Sequence, residues 1–500
     1  MRGILQGMIP KLLLALLLAL PAAAQTLRIG TNGQDPGSLD PHRATATQDK
    51  GTAAMMFDGL LRFPPGSADP AALEPDLAES VTPSDDGLTL TFRLREGVRF
   101  HDGSLLDAAV VAASLRRAAD PARSSFAADY RAMAEITELD ARTVRVRMAT
   151  PVPGLLGLFA NYHGGMIVNE RGVGTGPFRM EAATPGRVRL APHSGHFRGA
   201  PALAGVDVRF INSDQTRELA FTAGELDLIS GRREQRWVER MRTQPNTVVD
   251  VFGPGEFRTL LINTQSPPLT DPRVRRAVQH AVDPMAVARF VGTDVATPWP
   301  SVVPPGYLGA TQDVPRFASD PVRARSLLAE AGHGQGITLR AVVSSITAQL
   351  PIMEVIQAQL RRANIRLEMD VVEHATYHAR IRENLSQLTF YGAARYPVAD
   401  SYLTQFYHSS AAPGRPTMSL NFAHCAAADE QIVAAWAEAA GPRQMALWAE
   451  AQRLVLDAGC AVPLFDLRQV WVRRASVELG YTLEGALNLA PPVTAATRMR

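Results

Sequence analysis

The last third of this 500-residue chain alternates between helical and extended segments, and this restricts the fold more than any other feature of the sequence. Apolar residues keep a helical spacing in SDPVRARSLLAEAG and AQLPIMEVIQAQLRRANI, whereas ITLRAVVSS and RLEMDVVE are typical of strands. Helices and strands that follow one another in this way predict an α/β lobe built on a mixed sheet.

The length of the chain predicts more than one lobe, because a single hydrophobic core rarely serves so many residues. In the middle of the chain, Asp271-Pro272 and Asp283-Pro284 each place a capping carboxylate before a proline in the first helical turn. Two large α/β lobes joined by strands suit a cleft between them, where ligand sites are common.

Residues 1–24 have the features of a secretory signal peptide. Arg2 and Lys11 precede a short apolar run, and small residues at 22–24 predict cleavage after Ala24. The run is too short to span a bilayer, which takes about 20 apolar residues. No cysteine follows it, so we expect an exported, periplasmic protein without a lipid anchor.

The charge balance excludes some classes of partner. Removal of Arg2 and Lys11 leaves 49 basic against 49 acidic residues, and Lys50 is the single lysine that remains. Proteins that bind nucleic acid or an anionic membrane surface usually carry a clear basic excess. We therefore expect neither as the main partner.

A possible catalytic pair occurs in RLREGVRFHDGSLLDAAVVAASLRR, where His101 and Asp102 precede Gly103. The pair could belong to a triad or a metal site. The surrounding pattern favours a turn between a strand and a helix, with Gly103 relaxing the turn and Asp107 capping the helix. We interpret the pair as structural.

The two cysteines, Cys425 and Cys460, would meet an oxidising environment after export. A structural disulfide is the favoured interpretation, and a catalytic thiol beside His424 is the alternative.

Other motifs give weak signals for chemistry. His374 and His378 have the i, i+4 spacing of a zinc pair but no evident third ligand, so we expect a packed or solvated helix face. His193 and His196 are predicted at the surface, and GTGPF is followed by a strand rather than by a phosphate-binding helix. Because no GxSxG elbow, Walker loop or GxGxxG follows a strand, we predict no catalytic residues, metal or cofactor.

Several stretches in a fixed order resemble the periplasmic solute-binding proteins of ABC importers, in the large class that binds peptides, opines and nickel chelates. They are LREGVRFHDGSLLDAAVVAASLRR, GTGPFRM, AGELD, LINTQSPPLTDPRVRRAVQHAVD, ATPWPSVVPPG and the helix-to-strand passage at 443–463. The resemblance implies a two-lobed type II binding-protein fold with an extra sub-domain. Lobe I would hold residues 25–56, 170–255 and 475–500, with the sub-domain at 57–169 and lobe II at 256–474.

The same resemblance places a ligand-binding segment at FYGAARYPVADSYLTQFYHSS. Peptide binders of this class carry an aspartate there for the amino terminus of the peptide, and Arg395 occupies that position. An arginine fork suits a carboxylate, which favours an opine-like or otherwise carboxylate-rich solute, or an acidic peptide. A shift of one turn in the alignment would instead give Asp400 the amine-binding role.

Aromatic residues complete the set of expected ligand contacts, as they often do in such pockets. We expect Tyr396, Tyr402 and Trp299 as apolar walls, and Tyr162 and His163 as contacts from the first lobe.

The sequence thus predicts a monomeric, non-catalytic receptor that delivers a peptide or amino-acid-derived solute to an inner-membrane ABC permease. A nickel-chelate or metallophore receptor is the alternative within the same fold, favoured if His163 and Arg395 meet in the cleft. A secreted hydrolase is the alternative from another class. It would need a nucleophile, a base and an acid in one cleft.

Overall fold

A computed structural model describes residues 25–152, 154–346, 348–415, 420–438 and 441–500, apart from the side chain of His163. The predicted signal peptide, residues 1–24, lies outside these ranges. In the described part of the chain, no helix is both long enough and apolar enough to cross a membrane.

The strands in chain order are β1 (Thr26–Thr31), β2 (Leu61–Arg62), β3 (Glu74–Pro75), β4 (Ala78–Pro83), β5 (Thr89–Leu94), β6 (Met133–Asp140), β7 (Thr143–Met148), β8 (Phe178–Thr184), β9 (Arg187–Pro192), β10 (Gly205–Phe210), β11 (Leu228–Ser230), β12 (Thr247–Ile262), β13 (Ala296–Pro298), β14 (Ile337–Ser344), β15 (Ile365–Val372), β16 (Leu388–Ala393), β17 (Ala461–Arg474), β18 (Val477–Glu478) and β19 (Arg498–Met499).

The α-helices are α1 (Thr47–Ala53), α2 (Ala108–Ala119), α3 (Asp214–Thr222), α4 (Gln235–Arg242), α5 (Pro272–Ala281), α6 (Pro284–Val291), α7 (Pro321–Glu330), α8 (Leu350–Arg362), α9 (His374–Arg382), α10 (Ala399–Tyr407), α11 (Asp429–Ala437) and α12 (Pro442–Asp457). Short 3-10 helices lie at Pro70–Ala72, Ala127–Tyr130, Leu155–Phe159, His163–Gly165 and Ser409–Ala411.

One mixed sheet of nine strands in the described chain connects the two halves of the molecule. Its order is β16-β12-β17-β11-β1-β10-β9-β8, with β13 added to β17. Strand β1 pairs in parallel with both β10 and β11, and the remaining pairs are antiparallel. The sheet therefore combines parallel and antiparallel strands, as the alternating pattern predicts.

The long strands β12 and β17 pass from one half of the molecule to the other. They pair from Thr247↔Arg474 to Leu261↔Ala461, with shifts in register between Phe252 and Glu256 and between Arg258 and Thr259. Strand β17 is buried along nearly its whole length, which agrees with its apolar residues at 461–465 and 470–472. These two strands therefore connect the two halves of the molecule covalently.

Residues between β3 and the Leu155–Phe159 helix build a smaller antiparallel sheet with the order β4-β5-β7-β6. The inward positions of TLTFRL and TVRVRM, among them Phe92 and Val146, are fully buried against α2. Asp107 caps α2 by accepting a hydrogen bond from the backbone N–H of Val110 at 2.9 Å, as predicted.

The last third folds as the alternating pattern predicts. Strands β14 and β15 are parallel, and α8 connects them. Asp271 and Asp283 cap α5 and α6 through their side chains, with proline in the first turn of each helix, which confirms the predicted helix starts.

The hydrophobic core crosses the boundary that we expected between the lobes. One buried cluster contains Phe221 and Trp237, from around α3 and α4, together with Leu260, Leu339 and Val472. Separate clusters lie beneath α10 to α12, around β1 and β10, and inside the small antiparallel sheet. Helices α3 and α4 thus pack in the same core as strands that we expected in lobe II.

Candidate functional site

A cavity of about 420 Å³ lies between the two halves of the molecule. Side chains from residues expected in lobe I and its sub-domain line one wall: Thr47, Lys50, Tyr162, Arg233, Leu487, Asn488 and Leu489. Residues assigned to lobe II line the other: Glu256, Arg258, Ile346, Ala348, Gln349, His374, Tyr377, His378 and 390–395. A solute in this cavity would contact both lobes.

Positive charge dominates the lining of the cavity. Lys50, Arg233, Arg258 and Arg395 face a single carboxylate, that of Glu256. The Glu256 carboxylate lies 2.6 Å from Arg258 and 3.2 Å from Arg233. One acid cannot neutralise four bases, so the cavity favours an anionic solute.

Glu256 and Arg258, which both line the cavity, form an ion pair on the same strand two residues apart. Burial acts to raise the pKa of Glu256, but the charges of Arg233 and Arg258 outweigh it and leave the pKa lowered. The Arg258 guanidinium is nearly buried, with 12% of its side chain exposed, and lies 6.0 Å from the centre of the Phe390 ring. Glu256 therefore stays ionised and fixes the two arginines.

Arg395 is held rigidly in the loop between β16 and α10. Its backbone N–H donates to the Tyr307 hydroxyl at 3.0 Å, and that hydroxyl donates back to the Arg395 carbonyl at 2.8 Å. Its Nε donates to Gln405 at 2.6 Å, and Nη1 donates to the carbonyl of Ala394 at 2.8 Å. Within the described ranges no carboxylate pairs with Arg395, which leaves its charge available to a solute.

Lys50 reaches the same cavity from α1. Burial, and then the charge of Arg395, lower its pKa to about 8, against a smaller opposing effect of Asp129. Its Nζ lies 5.8 Å from the centre of the Tyr162 ring and 5.9 Å from that of Phe126. Sequence reasoning missed this residue. The available signal was that Lys50 is the single lysine beyond the predicted signal peptide.

Tyr396 lies between the halves rather than along the cavity. Its ring is 6.2 Å from that of Phe63 and 6.4 Å from that of Tyr162, and it abuts Gly157. Its hydroxyl is buried and hydrogen-bonds to none of the described residues. Tyr396 is thus one of the contacts between the two halves beside the cavity.

Three other predicted contacts lie inside lobe II. Tyr402 is buried and donates to the carbonyl of Ala393, and the Trp299 indole donates to the carbonyl of Val303 at 2.7 Å. Asp400 accepts hydrogen bonds from Trp436 at 2.9 Å and Thr404 at 3.1 Å. Burial raises the pKa of Asp400. None of the three is among the residues that line the cavity.

The first-lobe predictions fall close to the cavity. Tyr162 lines it and is 9% exposed, and burial raises the pKa of its hydroxyl. His163 begins a short 3-10 helix, but its side chain lies outside the described part of the structure. The expected meeting of His163 with Arg395 is therefore not described.

His374 and His378 converge at the mouth of the cavity. Their Nε2 atoms lie 3.3 Å apart, on successive turns of α9. Among the residues that the structure describes, no group of three or more His, Cys, Asp or Glu side chains could hold a metal ion. At this position the described residues thus present two imidazoles and no third protein ligand.

The His101-Asp102-Gly103 segment and the two cysteines make structural contacts. His101 hydrogen-bonds through Nε2 to the carbonyl of Gly176 at 3.0 Å, and Asp102 accepts from the backbone N–H of Ser104 at 3.1 Å. Gly103 has a positive φ of 84° in the turn before α2. A disulfide joins Cys425 and Cys460, whose Cα atoms are 5.8 Å apart.

Two α/β halves that enclose a charged cavity and are connected by long strands define a two-lobed solute-binding protein. The family model described as bacterial extracellular solute-binding proteins, family 5 Middle, matches residues 72–414. The chain belongs to this family.

Individual relatives support the assignment. The glutathione-binding protein GsiB of Escherichia coli O1:K1 / APEC is 29% identical over 359 residues, or 68% of each chain. The structure of MoaA from A. tumefaciens R10 in complex with mannopinic acid has a TM-score of 0.83 and 40% identity, covering 96% of this chain and 100% of that one. The structure of DppA from Helicobacter pylori with the peptide STSA, at 24% identity, a TM-score of 0.77 and coverage of 95% and 98%, has the same fold.

These relatives confirm the predicted class, fold and function. The chain is a two-lobed substrate-binding receptor of an ABC importer. Its relatives bind small solutes or peptides and work with ABC permeases, and they are receptors rather than enzymes.

Proposed function

We propose that this receptor captures a solute with at least two acidic groups, an opine-like amino-acid conjugate, by closing lobe I and lobe II around it. The observation that carries the proposal is the cavity lining of four basic residues against one acid. Arg395 and Lys50 contribute most, because they approach from opposite lobes and pair with no carboxylate of the described chain.

The electrostatics explain why a neutral or cationic solute fits poorly. An unpaired charge in a closed, desolvated cleft costs several kcal/mol, so a bound solute must supply the opposite charge. Carboxylates suit the planar Arg395 fork, and Lys50 can neutralise a second acidic group. The complex of MoaA with mannopinic acid, at 40% identity, supports the same class of solute.

A hydrogen-bond acceptor in the cavity adds a contact for polar groups of the solute. The Asn488 side-chain oxygen lines the cavity, is buried and accepts no hydrogen bond from the described residues. A hydroxyl or amine N–H of the solute can donate to it, which suits a conjugate that carries polar groups besides its carboxylates.

The remaining features follow from this role. The protein is exported to the periplasm by residues 1–24, acts as a monomer and performs no catalysis on its solute. Lobe I comprises residues 25–56, 170–255 and 475–500, with the sub-domain at 57–169, and lobe II comprises 256–474, with α3 and α4 of lobe I packed into a core shared with lobe II. Strands β12 and β17 carry the hinge between the lobes.

A thermal-shift panel on the ligand-free mature protein tests the choice of solute. The panel compares mannopinic acid, a matched neutral amide, glutathione, and dipeptides with free and blocked amino termini. A ligand at about 100 times its dissociation constant stabilises the folded protein by about 2.7 kcal/mol. We expect stabilisation by the acids and none by the neutral amide. Stabilisation by neutral dipeptides with free amino termini alone would contradict the proposal.

A further inference from the structure

The two oxygens of the Glu256 carboxylate have different surroundings. Oε2 accepts a hydrogen bond from Nη2 of Arg258 at 2.6 Å and lies 3.2 Å from Nη1 of Arg233. Oε1 accepts no hydrogen bond from a described residue, and 29% of the side chain is exposed. Because Glu256 lines the cavity, a hydrogen-bond donor on the solute can reach Oε1.

The other acids near the cavity are not available to a solute. Asp466 is buried, and both of its oxygens accept from the backbone N–H of Gly255 at 3.1 Å. Asp400 and Asp129 do not line the cavity. Among the described residues, Glu256 is therefore the position where the cavity can match a positive charge on the solute.

An amine elsewhere in the cavity would meet repulsion, because four basic side chains outnumber the one acid. Glu256 itself carries a negative charge. Burial acts to raise its pKa, but the charges of Arg233 and Arg258 outweigh burial and leave the pKa lowered. An ammonium group thus gains a charge-assisted hydrogen bond at Oε1 and nowhere else along the described lining.

Glu256 and Arg395 leave neighbouring strands at the same end. Strands β12 and β16 are antiparallel, with Phe257 opposite Ala393. Glu256 directly precedes this pair on β12, and Arg395 follows it shortly after the end of β16. The hydrogen bonds of the Arg395 guanidinium use Nε and Nη1, so Nη2 donates to none of the described residues. A free carboxylate oxygen and a free guanidinium nitrogen therefore border the same part of the cavity.

We propose that Glu256 and Arg395 together bind an amine and a carboxylate that the solute carries on the same carbon atom. The amine donates to Oε1 of Glu256, and the carboxylate accepts from Nη2 of Arg395. The inference rests on the proposed function, because the carboxylate at Arg395 is part of it. Lys50 then meets the second acidic group. The receptor thereby separates an amino-acid head group from a peptide of equal charge, whose amine and carboxylates lie on different carbons.

Calorimetry with mannopinic acid and its ether analogue, in which oxygen replaces the amine nitrogen, tests the contact with Glu256. The analogue keeps the carboxylates and loses the positive charge, so a basic cavity without an amine-binding acid would bind the analogue more tightly. We expect the wild-type protein to bind mannopinic acid at least tenfold more tightly than the analogue. In Glu256→Gln this preference should fall below about threefold. A merely structural role of Glu256 would instead weaken both compounds by the same factor.

Glu368→Gln is the matched control. Glu368 also lies near two arginines, 3.5 Å from Arg340 and 3.7 Å from Arg366, but outside the cavity. This variant should keep the wild-type preference for the amine.

A pair of isomers tests the shared carbon without any variant. In γ-glutamylglycine the amine and one carboxylate are on the same carbon. In α-glutamylglycine the same atoms and charges are arranged with the amine and both carboxylates on different carbons. We expect the wild-type protein to bind the γ isomer at least tenfold more tightly than the α isomer.

The outcomes separate the two proposals. The head-group site is overturned, and the acid receptor stands, if the ether analogue binds as tightly as mannopinic acid or if Glu256→Gln keeps the full preference. Binding of the α isomer as tight as that of the γ isomer also overturns the head-group site. If neither mannopinic acid nor its analogue binds, both proposals are overturned.

Discussion

Lys50 and Arg395 face each other across the cavity from opposite lobes, and the charge of Arg395 adds to burial in lowering the pKa of Lys50 to about 8. Two cations brought together, with Asp129 as a partial counter-charge, destabilise the empty, closed state. A dianionic solute relieves this repulsion. On the proposed function, we expect the pair to tie closure of the lobes to the presence of an acid.

Binding should take up a proton at alkaline pH. Above a pKa of about 8, Lys50 is mostly neutral in the empty protein, and a nearby carboxylate raises its pKa and recharges it. Affinity for an acidic solute therefore falls as pH rises above about 8. Calorimetry at pH 8.5 in buffers of different ionisation enthalpy should report uptake of roughly half a proton or more. Uptake that persists in Lys50→Met would assign the proton to another group.

Removal of the Arg395 guanidinium should weaken solute binding at least tenfold. A hydrogen bond to a charged group contributes about 1.5–3 kcal/mol, and tenfold corresponds to about 1.4 kcal/mol. Arg395→Ala is compared with Arg366→Ala, whose side chain is 77% exposed and lies outside the cavity. Unchanged affinity in Arg395→Ala, with melting temperature preserved, would refute the anion-binding role.

The contact between Gly157 and Tyr396 should be sensitive to a single methyl group. A Cβ at Gly157 would lie 1.8 Å from the Tyr396 hydroxyl oxygen and 1.9 Å from Cζ. Gly157→Ala should therefore push the lobes apart, weaken solute binding at least fivefold and enlarge the solute-bound protein in X-ray scattering. Adding Tyr396→Ala should restore closure. Gly334→Ala, whose new Cβ would meet no atom closer than 3.8 Å, is the control. If Gly157→Ala and Gly334→Ala had equal effects, the contact between Gly157 and Tyr396 would not limit closure.

The disulfide should stabilise the second lobe without affecting recognition. It spans 35 residues of sequence, for which the loop-entropy estimate is about 4 kcal/mol. The double variant C425S/C460S should lose up to that amount in urea unfolding and keep its solute affinity within twofold, because neither cysteine lines the cavity. A large loss of affinity in the folded variant would show that the bond supports the ligand-binding loop.

The sequence predicted the elements better than the site. Capping residues that precede a proline, such as Asp271, are local signals, and β17 is apolar over most of its length because both of its faces are buried. The resemblance to a family was enough to place Arg395 in the ligand-binding segment. Glu256 and Arg258 were missed because a charge on a strand does not reveal whether its face borders a cleft or solvent.

The aromatic predictions show the same limit. Tyr402 and Tyr162 are both buried tyrosines, yet one lies within the core of lobe II and the other lines the cavity. Both residues are tyrosines, so the residue type does not distinguish a core position from a cavity-lining one. Only the packing of the lobes does. His374 and His378 were expected to face solvent or neighbouring side chains, because helical spacing alone cannot show that a second lobe lies opposite.

A crystal structure of the protein bound to mannopinic acid is the most direct test of the account. It should place one carboxylate within about 3 Å of the Arg395 guanidinium, with an acidic group of the solute beside Lys50. The contradictory result is a solute whose carboxylates avoid both residues, or whose amine displaces Trp436 from Asp400.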